Sequence, residues 1–409
     1  MKIELMRKVD YFAGIPLCFL ATLGVRIARL WSGQKSASPQ NVLFIELSEM
    51  GSTILADPAM RKMRRVANAE LHFLIFKSNA VSLRLLDTVP ESNVFTIREN
   101  NFFNLALDSL RFLLWARRRR IDTVIDLELF SRYSALLTGL SGAVRRVGFY
   151  AFNNEGLYRG HMLTHRVAYN PHLHIAKNFI ALVNAVMAGK PELPFSKTLI
   201  DESEISLPRA RIDPVAIETM RRRVRDAYPP YDETRHRIVL INPNASGLLP
   251  QRRWMPERFV AVMRDLIADD ERLVILITGS PQEREEAALL QQQVANERCV
   301  NFAGRLALDE LPTLYQIAEL MLTNDSGPGH FSAVTDLHTF VLFGPETPLL
   351  YGSLGNSTPI YAGLACSPCV NAANHRKTPC TDNVCLQVIT PETVLRQLRQ
   401  ALEKNRRQQ

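Results

Sequence analysis

The sequence predicts a two-domain α/β protein in which each domain contains a parallel β-sheet covered by helices on both faces. Its 409 residues exceed what one ordinary hydrophobic core accommodates, so we expect two domains. From residue 41 onward, short apolar runs alternate with segments of helical periodicity. Strands that alternate with helices are typical of parallel sheets. Hydrophobic residues make up 46% of the chain and charged residues 22%, a composition typical of globular proteins.

The first domain is predicted over residues 41–205. Its apolar runs predict strands at 42–47, 71–76, 94–97, 123–127 and 146–149. Helical periodicity predicts helices at 52–66, 105–115 and 176–187. A polar, proline-containing interdomain segment, residues 206–236, follows and contains one predicted helix at 214–227.

The second domain is predicted over residues 237–390 and is followed by a C-terminal helix at 391–409. Its strands are expected at 237–242, 273–278, 300–302, 320–323 and 339–343. Helices are expected at 256–268, 282–295, 309–318 and 329–334. The loops after four of these strands, at 242–247, 279–280, 324–330 and 344–346, are rich in Gly, Ser, Asn and Pro. Because parallel strands end at the same edge of a sheet, these loops predict one ligand-binding crevice.

Residues 1–40 are predicted to be a membrane-associated helical segment and a linker. The apolar run at 11–25 is too short to cross a bilayer, and no small-residue cleavage site of a signal peptide follows it. Flanking basic residues favour a segment that lies in the membrane interface. Its apolar anchors would be Phe12, Leu17, Phe19, Leu20 and Trp31. The alternative is a helix packed on the protein's own surface.

The positive charge of the chain favours anionic partners. The formal net charge is +8 and the sequence pI is about 9.3. The sequence contains no zinc finger, no aromatic RNA-binding signature and no clear helix-turn-helix. We therefore expect a membrane surface or a phosphorylated substrate, and no nucleic acid.

The loop at 324–330 joins a predicted strand to a predicted helix and is the first candidate for a phosphate site. Small residues let a ligand approach the backbone, and free amides at a helix start favour phosphate. Asp325 would repel phosphate, so we expect it to accept hydrogen bonds from sugar or ribose hydroxyls; the alternative is a helix cap. The other candidates in this loop are Asn324, Ser326, Gly327, Gly329 and His330, the last as a donor to phosphate.

The other loops add further candidates at the same edge. The loop at 242–253 supplies Ser246, Gly247 and Arg252, and an arginine can bind a phosphate through two parallel hydrogen bonds. Gly279 would let a nucleotide pass close to the backbone, and Glu283 is in reach of ribose hydroxyls.

Several of these runs are similar to a known family. They are 253–259 (RWMPERF), 300–306 (VNFAGRL), 323–330 (TNDSGPGH), 342–345 (LFGP) and the Cys366–Cys369 pair with its later cysteines. Over about residues 41–395 the chain resembles the heptosyltransferase family of glycosyltransferases, family 9. The resemblance implies a GT-B fold, in which two Rossmann-like domains face each other across a cleft and the C-terminal one binds the donor.

The resemblance also implies the chemistry. It is an inverting, metal-independent transfer from a nucleotide-diphosphate sugar, usually ADP-heptose, to a lipopolysaccharide-core or other anionic lipid-linked glycan. No cofactor would be required for catalysis. The protein would lie peripherally on the cytoplasmic face of a bacterial inner membrane.

Residue roles follow from the same resemblance. Ser326, Gly327 and Arg252 would contact the diphosphate, and Asp325 would contact the reacting donor sugar. Arg61, Arg64 and Arg145 of the first domain would meet phosphates of the acceptor. The last helix, from Pro391, would return to the first domain.

One position departs from the family pattern. Ser52 stands where the family usually has the aspartate expected to act as general base. Because inverting transfer needs a group that takes the acceptor's proton, Glu49 is our substitute, with Glu46 and Asp57 behind it. Glu49 has the alternative of a first-turn acid favoured by the helix dipole.

Other functions stay open at this stage. The departure at Ser52 is compatible with a non-catalytic nucleotide-sugar-binding protein, and a sugar-nucleotide epimerase has the same fold. The sequence argues against a dinucleotide dehydrogenase, because no Gly-x-Gly-x-x-Gly follows the first strand of either domain.

Four cysteines fall within twenty residues of one another: Cys366, Cys369, Cys380 and Cys385. Four thiolates suit a structural zinc, although the second pair is more widely spaced than in a zinc ribbon. Disulfides and reduced thiols are the alternatives.

Overall fold

The structure is a computed structural model that describes residues 3–31, 38–129, 131–152, 158–188, 193, 196–245, 247, 249–371 and 376–408. It divides into two compact units, unit 1 (Met1–Ser206) and unit 2 (Leu207–Gln409). Each unit contains one parallel sheet, as the alternating pattern predicts.

The sheet of unit 1 has its strands in the spatial order β3-β2-β1-β4-β5-β6, all parallel. The strands are β1 (Asn41–Ile45), β2 (Glu70–Phe76), β3 (Val94–Ile97), β4 (Thr123–Asp126), β5 (Arg145–Phe149) and β6 (His165–Val167). This is the Rossmann order, in which the crevice at the carboxyl edge opens between β1 and β4.

The helices of unit 1 are α1 (Ile3–Phe12), α2 (Gly14–Trp31), α3 (Met50–Ala67), α4 (Phe102–Arg118), α5 (Arg132–Leu140) and α6 (Ile175–Met187). Helix α3 packs against α6. Helices α4 and α5 cover an apolar cluster that contains Leu43, Phe112 and Leu137.

The N-terminal helices α1 and α2 are folded onto unit 1. The inner face of α2 presents Gly14, Cys18 and Thr22 to the protein, and α2 packs against α5. A β-carbon at Gly14 would lie 2.8 Å from the Arg132 side chain, so only glycine fits. The hydroxyl of Thr22 accepts a 2.9 Å hydrogen bond from the backbone of His161. Among the described residues, no helix is long and apolar enough to cross a bilayer.

The outer face of the same helices is apolar and exposed. Phe12, Leu17, Phe19 and Leu20 are all exposed. One face of the segment therefore packs on the protein, as the second alternative predicts, and the other face is left uncovered by the described residues. Its contact with a membrane stays a prediction. The side chain of Trp31, the fifth predicted anchor, lies outside the described residues.

The sheet of unit 2 repeats the same arrangement, with the order β12-β11-β10-β7-β8-β9 and all strands parallel. Its strands are β7 (Arg237–Asn242), β8 (Leu273–Ile277), β9 (Cys299–Asn301), β10 (Ala318–Asn324), β11 (His338–Phe343) and β12 (Ser357–Tyr361). Here the crevice at the carboxyl edge opens between β7 and β10.

The helices of unit 2 are α7 (Pro214–Ala227), α8 (Pro256–Asp269), α9 (Arg284–Val294), α10 (Leu311–Ile317), α11 (Gly327–Phe331), α12 (Pro348–Tyr351), α13 (Val384–Gln387) and α14 (Pro391–Gln408). The expected return of the last helix to the first domain stays a prediction. Helix α14 packs against α8, where Val394, Leu398 and Leu402 are buried in the core of unit 2. The apolar stripe of α14 is therefore used inside its own unit.

Candidate active site

Asn324, at the carboxyl end of β10, ties together the loops of unit 2. Its side-chain oxygen accepts a 3.0 Å hydrogen bond from the backbone of Trp254. Its side-chain nitrogen donates a 2.7 Å hydrogen bond to the carbonyl of Pro243. The side chain is fully buried, so Asn324 positions the loops that follow β7 and β10 through contacts within the protein.

Asp325 is a buried carboxylate beside Arg252. Its Oδ2 atom lies 3.6 Å from Nε of Arg252. Burial raises the pKa of Asp325, and the neighbouring guanidinium only partly opposes this. The structure thus brings together the two residues that the sequence assigns to the donor sugar and the diphosphate.

Glu346, in the loop after β11, completes this group and was not predicted as a site residue. Its Oε1 atom accepts a 3.2 Å hydrogen bond from Nη2 of Arg252. Nε of Arg376 lies 3.6 Å from the same oxygen. Burial raises the pKa of Glu346 to about 8, although the adjacent Arg252 favours its ionised form. The only sequence signal for this residue was its position at a strand end.

The loop from Ser326 to His330 begins a short helix. The hydroxyl of Ser326 donates a 3.1 Å hydrogen bond to the carbonyl of Asn324. A β-carbon at Gly327 would lie 3.1 Å from the ring of Phe331, and one at Gly329 would lie 3.3 Å from Val341. Both glycines are therefore tightly packed against side chains of the protein. His330 is half-buried within α11.

The remaining donor candidates lie on neighbouring loops. Ser246 is outside the described residues, whereas a β-carbon at Gly247 would meet no atom within 4 Å. The carboxylate of Glu283 accepts a 2.6 Å hydrogen bond from the backbone of Ser280. Glu283 therefore shapes the turn after β8, beside Gly279.

In unit 1, Glu49 and Ser52 lie together at the start of α3, directly after β1. The hydroxyl of Ser52 donates a 3.0 Å hydrogen bond to Oε2 of Glu49. Glu49 is the N-cap residue of α3, but its side chain makes no capping hydrogen bond. Asp57, the alternative candidate for the general base, is a buried carboxylate with partners inside the protein. It pairs with Arg61 at 2.6 Å and accepts a hydrogen bond from Thr88.

A further carboxylate, Glu128, holds the loop that carries Glu49. Its Oε1 atom accepts hydrogen bonds from the backbone of Leu47 at 2.9 Å and from the Ser48 hydroxyl at 3.0 Å. Burial raises the pKa of Glu128, and these hydrogen bonds oppose the shift. Glu128 follows β4, so the carboxylate and the Glu49 loop flank the crevice between β1 and β4.

The three arginines expected to meet the acceptor are not gathered near Glu49. Arg145 is the first residue of β5, so it lies at the amino ends of the strands, whereas Glu49 lies at their carboxyl ends. Arg64 lies near the end of α3 and donates to the carbonyl of Thr88. Arg61 pairs with Asp57 and donates to the carbonyl of Ser206. Their role toward an acceptor stays a prediction, and the structure gives Arg61 and Arg64 partners inside unit 1.

No disulfide joins the four clustered cysteines, all of which lie among the described residues. Cys366 is exposed, Cys369 and Cys380 are half-buried, and Cys385 is buried. The other three cysteines, together with burial, raise the pKa of Cys385. Within the described ranges, no group of three or more His, Cys, Asp or Glu side chains has the geometry of a metal site. A structural zinc therefore stays a prediction.

The sequence profile of one family matches most of the region that contains these sites. Residues 112–378 match glycosyltransferase family 9 (heptosyltransferase). The chain belongs to this family. The resemblance found in the loops of unit 2 is thereby confirmed.

Individual members of family 9 are more distant in sequence. The chain is 28% identical over 174 residues to lipooligosaccharide heptosyltransferase 2 of Campylobacter jejuni, an alignment that covers 41% of this chain and 52% of that protein. It is 32% identical over 104 residues to lipopolysaccharide heptosyltransferase 2 of Escherichia coli, covering 24% of this chain and 29% of that protein. The chain thus spans about half the length, or less, of these curated relatives.

The fold agrees with family membership over a longer range. The solved structure of E. coli ADP-heptose LPS heptosyltransferase II aligns with 90% of this chain and 100% of its own, at a TM-score of 0.68 and 18% identity. At that identity the likeness supports the two Rossmann-like α/β units and leaves the residue roles to the geometry described above.

Proposed function

We propose that this protein is a glycosyltransferase that moves a sugar, heptose or a related one, from a nucleotide-diphosphate sugar to a lipopolysaccharide-core or other lipid-linked glycan. The observation that carries the proposal is the buried group of Arg252, Asp325 and Glu346 at the crevice of unit 2, in a chain of family 9. Such a group places positive charge and hydrogen-bond acceptors where Rossmann-like sheets bind nucleotides.

ADP-heptose is the donor that we propose. A solved heptosyltransferase of E. coli, WaaC, was crystallised with ADP-2-deoxy-2-fluoro heptose; it aligns with 90% of this chain at a TM-score of 0.57 and 16% identity. In this chain, Arg252 would hold the diphosphate and Asp325 would accept hydrogen bonds from the sugar. The positive charge at Arg252 would stabilise the negative charge that develops on the departing diphosphate.

The proposed reaction is a single inverting displacement. Glu49 takes the proton of the acceptor hydroxyl as that oxygen bonds to the anomeric carbon, and the bond from this carbon to the diphosphate oxygen breaks. The nucleoside diphosphate leaves with the electron pair, and the proton ends on Glu49. The Ser52 hydrogen bond orients the Glu49 carboxylate. We propose no metal or organic cofactor for this step, and the chain contains no Asp-x-Asp motif.

We further propose that unit 1 binds peripherally to the cytoplasmic face of the inner membrane through the outer faces of α1, α2 and α4. Beyond the residues of α1 and α2 named above, Phe103, Leu110 and Leu114 of α4 are 76%, 62% and 56% exposed and lie on one helical stripe. Met6 of α1 and Leu113 of α4 pack against the same apolar cluster, which places both helices on one face of the sheet. Lys8, Arg26 and Arg117 are exposed along these helices, which suits an anionic lipid surface.

Transfer is tested with ADP-heptose and a heptose-deficient lipopolysaccharide core by following ADP release and the mass of the acceptor. We expect the acceptor to gain one heptose, with no change in donor incubated alone. Conversion of the donor without acceptor would favour the epimerase alternative, and binding without turnover would favour the non-catalytic one. An Asp325→Asn variant, which removes the carboxylate proposed to contact the donor sugar, serves as the negative control and should lose transfer.

Membrane binding is tested by co-sedimentation with vesicles of phosphatidylethanolamine and phosphatidylglycerol. We expect Phe19→Ser with Leu20→Ser to weaken binding. Leu199→Ser is the matched control, because Leu199 is 99% exposed but lies outside these helices. Equal binding by the double variant and the control would overturn the membrane proposal.

A further inference from the structure

Arg376 reaches the Arg252 group from the loop that also carries the clustered cysteines. Its Nη2 atom donates a 3.0 Å hydrogen bond to the hydroxyl of Tyr351. Its guanidinium carbon lies 5.0 Å from the centre of the Tyr351 ring. With Glu346 on its other side, Arg376 is held between the loop after β11 and the end of α12, and only 19% of its side chain is exposed.

Two guanidiniums therefore meet at one carboxylate oxygen. Both Arg252 and Arg376 approach Oε1 of Glu346, at 3.2 Å and 3.6 Å, from different segments of unit 2. The fourth charge in the group is Asp325, beside Arg252. The two arginines and two carboxylates are mostly buried, an arrangement that costs free energy in desolvation unless every group is well paired.

The pairing within this group is incomplete. Oε2 of Glu346 and Nε of Arg252 are buried, and neither has a hydrogen-bond partner among the described residues. Buried polar atoms in folded proteins are almost always hydrogen-bonded, so leftover donors and acceptors point to a ligand that completes the set. Nε of Arg252 lies 3.6 Å from the Asp325 carboxylate, beyond hydrogen-bond distance, and is a donor. Because both arginines are cationic as well, the ligand is anionic.

We propose that Arg252 and Arg376 together bracket the diphosphate of the donor, and that Glu346 holds both guanidiniums in position until the donor arrives. This inference rests on the proposed function and assigns Arg376 and Glu346 to the donor site. Two planar guanidiniums match the several oxygens of a diphosphate better than one does. Tyr351 is a positioning residue, since it acts through Arg376.

The charge on Glu346 agrees with this arrangement. Its pKa of about 8 leaves the carboxyl largely protonated at neutral pH. A neutral carboxyl does not repel the incoming phosphates, and its proton is available for a hydrogen bond to a phosphate oxygen.

The test measures binding of ADP and AMP to the full-length protein by isothermal titration calorimetry. A second phosphate should bind through Arg376, so the wild type prefers ADP. We expect Arg376→Ala to lose roughly tenfold or more in ADP affinity, and far less in AMP affinity. Arg376→Lys keeps the charge but lacks the planar guanidinium, so its ADP affinity should lie between those of the wild type and Arg376→Ala. Arg399→Ala is the matched control. Arg399 lies on α14, pairs with Asp269 of α8 and is 46% exposed.

Two outcomes overturn the inference: unchanged ADP binding by Arg376→Ala, or equal losses for ADP and AMP, which would indicate a structural role. Thermal unfolding of each variant checks the fold, and Tyr351→Phe provides a milder second variant. Glycosyl transfer by the wild type is measured in parallel. Arg376-dependent ADP binding without turnover would overturn the proposed function alone, whereas turnover with Arg376-independent binding would overturn this inference alone.

Discussion

The hydroxyl of Ser52 donates a 3.0 Å hydrogen bond to Oε2 of Glu49, so the serine at the position where the sequence resemblance predicts an aspartate contacts a carboxylate three residues earlier. In our proposal, the general base is Glu49, three residues and about one helical turn before the position of Ser52. Ser52 is buried, and it therefore supports the carboxylate from the protein side.

Glu49→Gln should lower kcat by roughly two to four orders of magnitude, the usual contribution of a general base, while ADP affinity stays unchanged. The glutamine keeps the size of the side chain and removes its basicity. Transfer rates and calorimetric ADP binding check this. Ser52→Ala, which removes only the supporting hydrogen bond, should cost much less. The base assignment is wrong if Glu49→Gln retains wild-type turnover.

The affinity for ADP should fall as pH rises through about 8. Below that pH Glu346 is protonated; above it, the carboxylate adds negative charge at the phosphate site. The charged and titratable groups that face it are Arg252, Arg376, Asp325 and Tyr351. Titrations at pH 7, 8 and 9 measure the effect, and Glu346→Gln should flatten the profile. A profile that is equally steep in this variant would assign the pH dependence to another group.

His72 should make the protein less stable in acid. It is a buried residue of β2, and neither ring nitrogen has a hydrogen-bond partner among the described residues. Burial lowers the pKa of His72 below the ordinary 6.5. As the pH falls below 6.5, the imidazole is therefore protonated in the unfolded chain while it is still neutral in the folded chain. Stability is therefore retained above pH 6.5 and lost as pH falls below it.

His72→Phe tests this, because it keeps an aromatic ring beside Trp115, whose ring centre lies 5.6 Å from that of His72. Urea unfolding at pH 5.5 and 7.5 should show a smaller difference in unfolding free energy for the variant than for the wild type. Equal differences would remove His72 from the acid response.

Gly160→Ala should loosen the N-terminal helices. Gly160 has a φ of +75°, and an added β-carbon would lie 2.6 Å from the Thr22 hydroxyl and 2.9 Å from the carbonyl of Cys18. The clash and the unfavourable φ both act against docking of α2, at a cost of roughly 1–3 kcal/mol. Thermal unfolding and protease sensitivity of residues 3–31 report the change.

Gly24→Ala is the matched control for that substitution. Gly24 lies on α2, the helix that Gly160 contacts, and an added β-carbon there would meet nothing within 4 Å. Alanine should stabilise the helix by roughly 0.5–1 kcal/mol relative to glycine. If both variants lose stability alike, steric docking at Gly160 is not the cause.

The alternating pattern of the sequence was sufficient to predict most strands, because a buried parallel strand has a short run of apolar residues. The three-residue β6 and the short helix α5 were not predicted, and β12 was missed because Pro359 interrupts its apolar residues. These elements depend on neighbours in space for their burial, so the local sequence carries little signal for them.

The residues of the proposed donor site were predictable only where a loop follows a strand directly. Arg252 and Asp325 were expected and lie 3.6 Å apart. Arg376, more than 120 residues from Arg252 along the chain, was not expected, since chain folding alone brings it beside Glu346. In unit 1, the acceptor role of Arg64 and Arg145 stays a prediction, because the charge of a residue does not indicate which edge of a sheet it will occupy.

The packing of α14 on α8 has a consequence for how such proteins can change. Because unit 2 includes its own final helix in its core, a single backbone position, between Ser206 and Leu207, separates it from the preceding residues. If unit 2 binds the donor as we propose, exchange of this half between family members would transfer the preference for a sugar nucleotide as one segment. Recombination at this position would then change the donor without altering unit 1, in which we propose the general base.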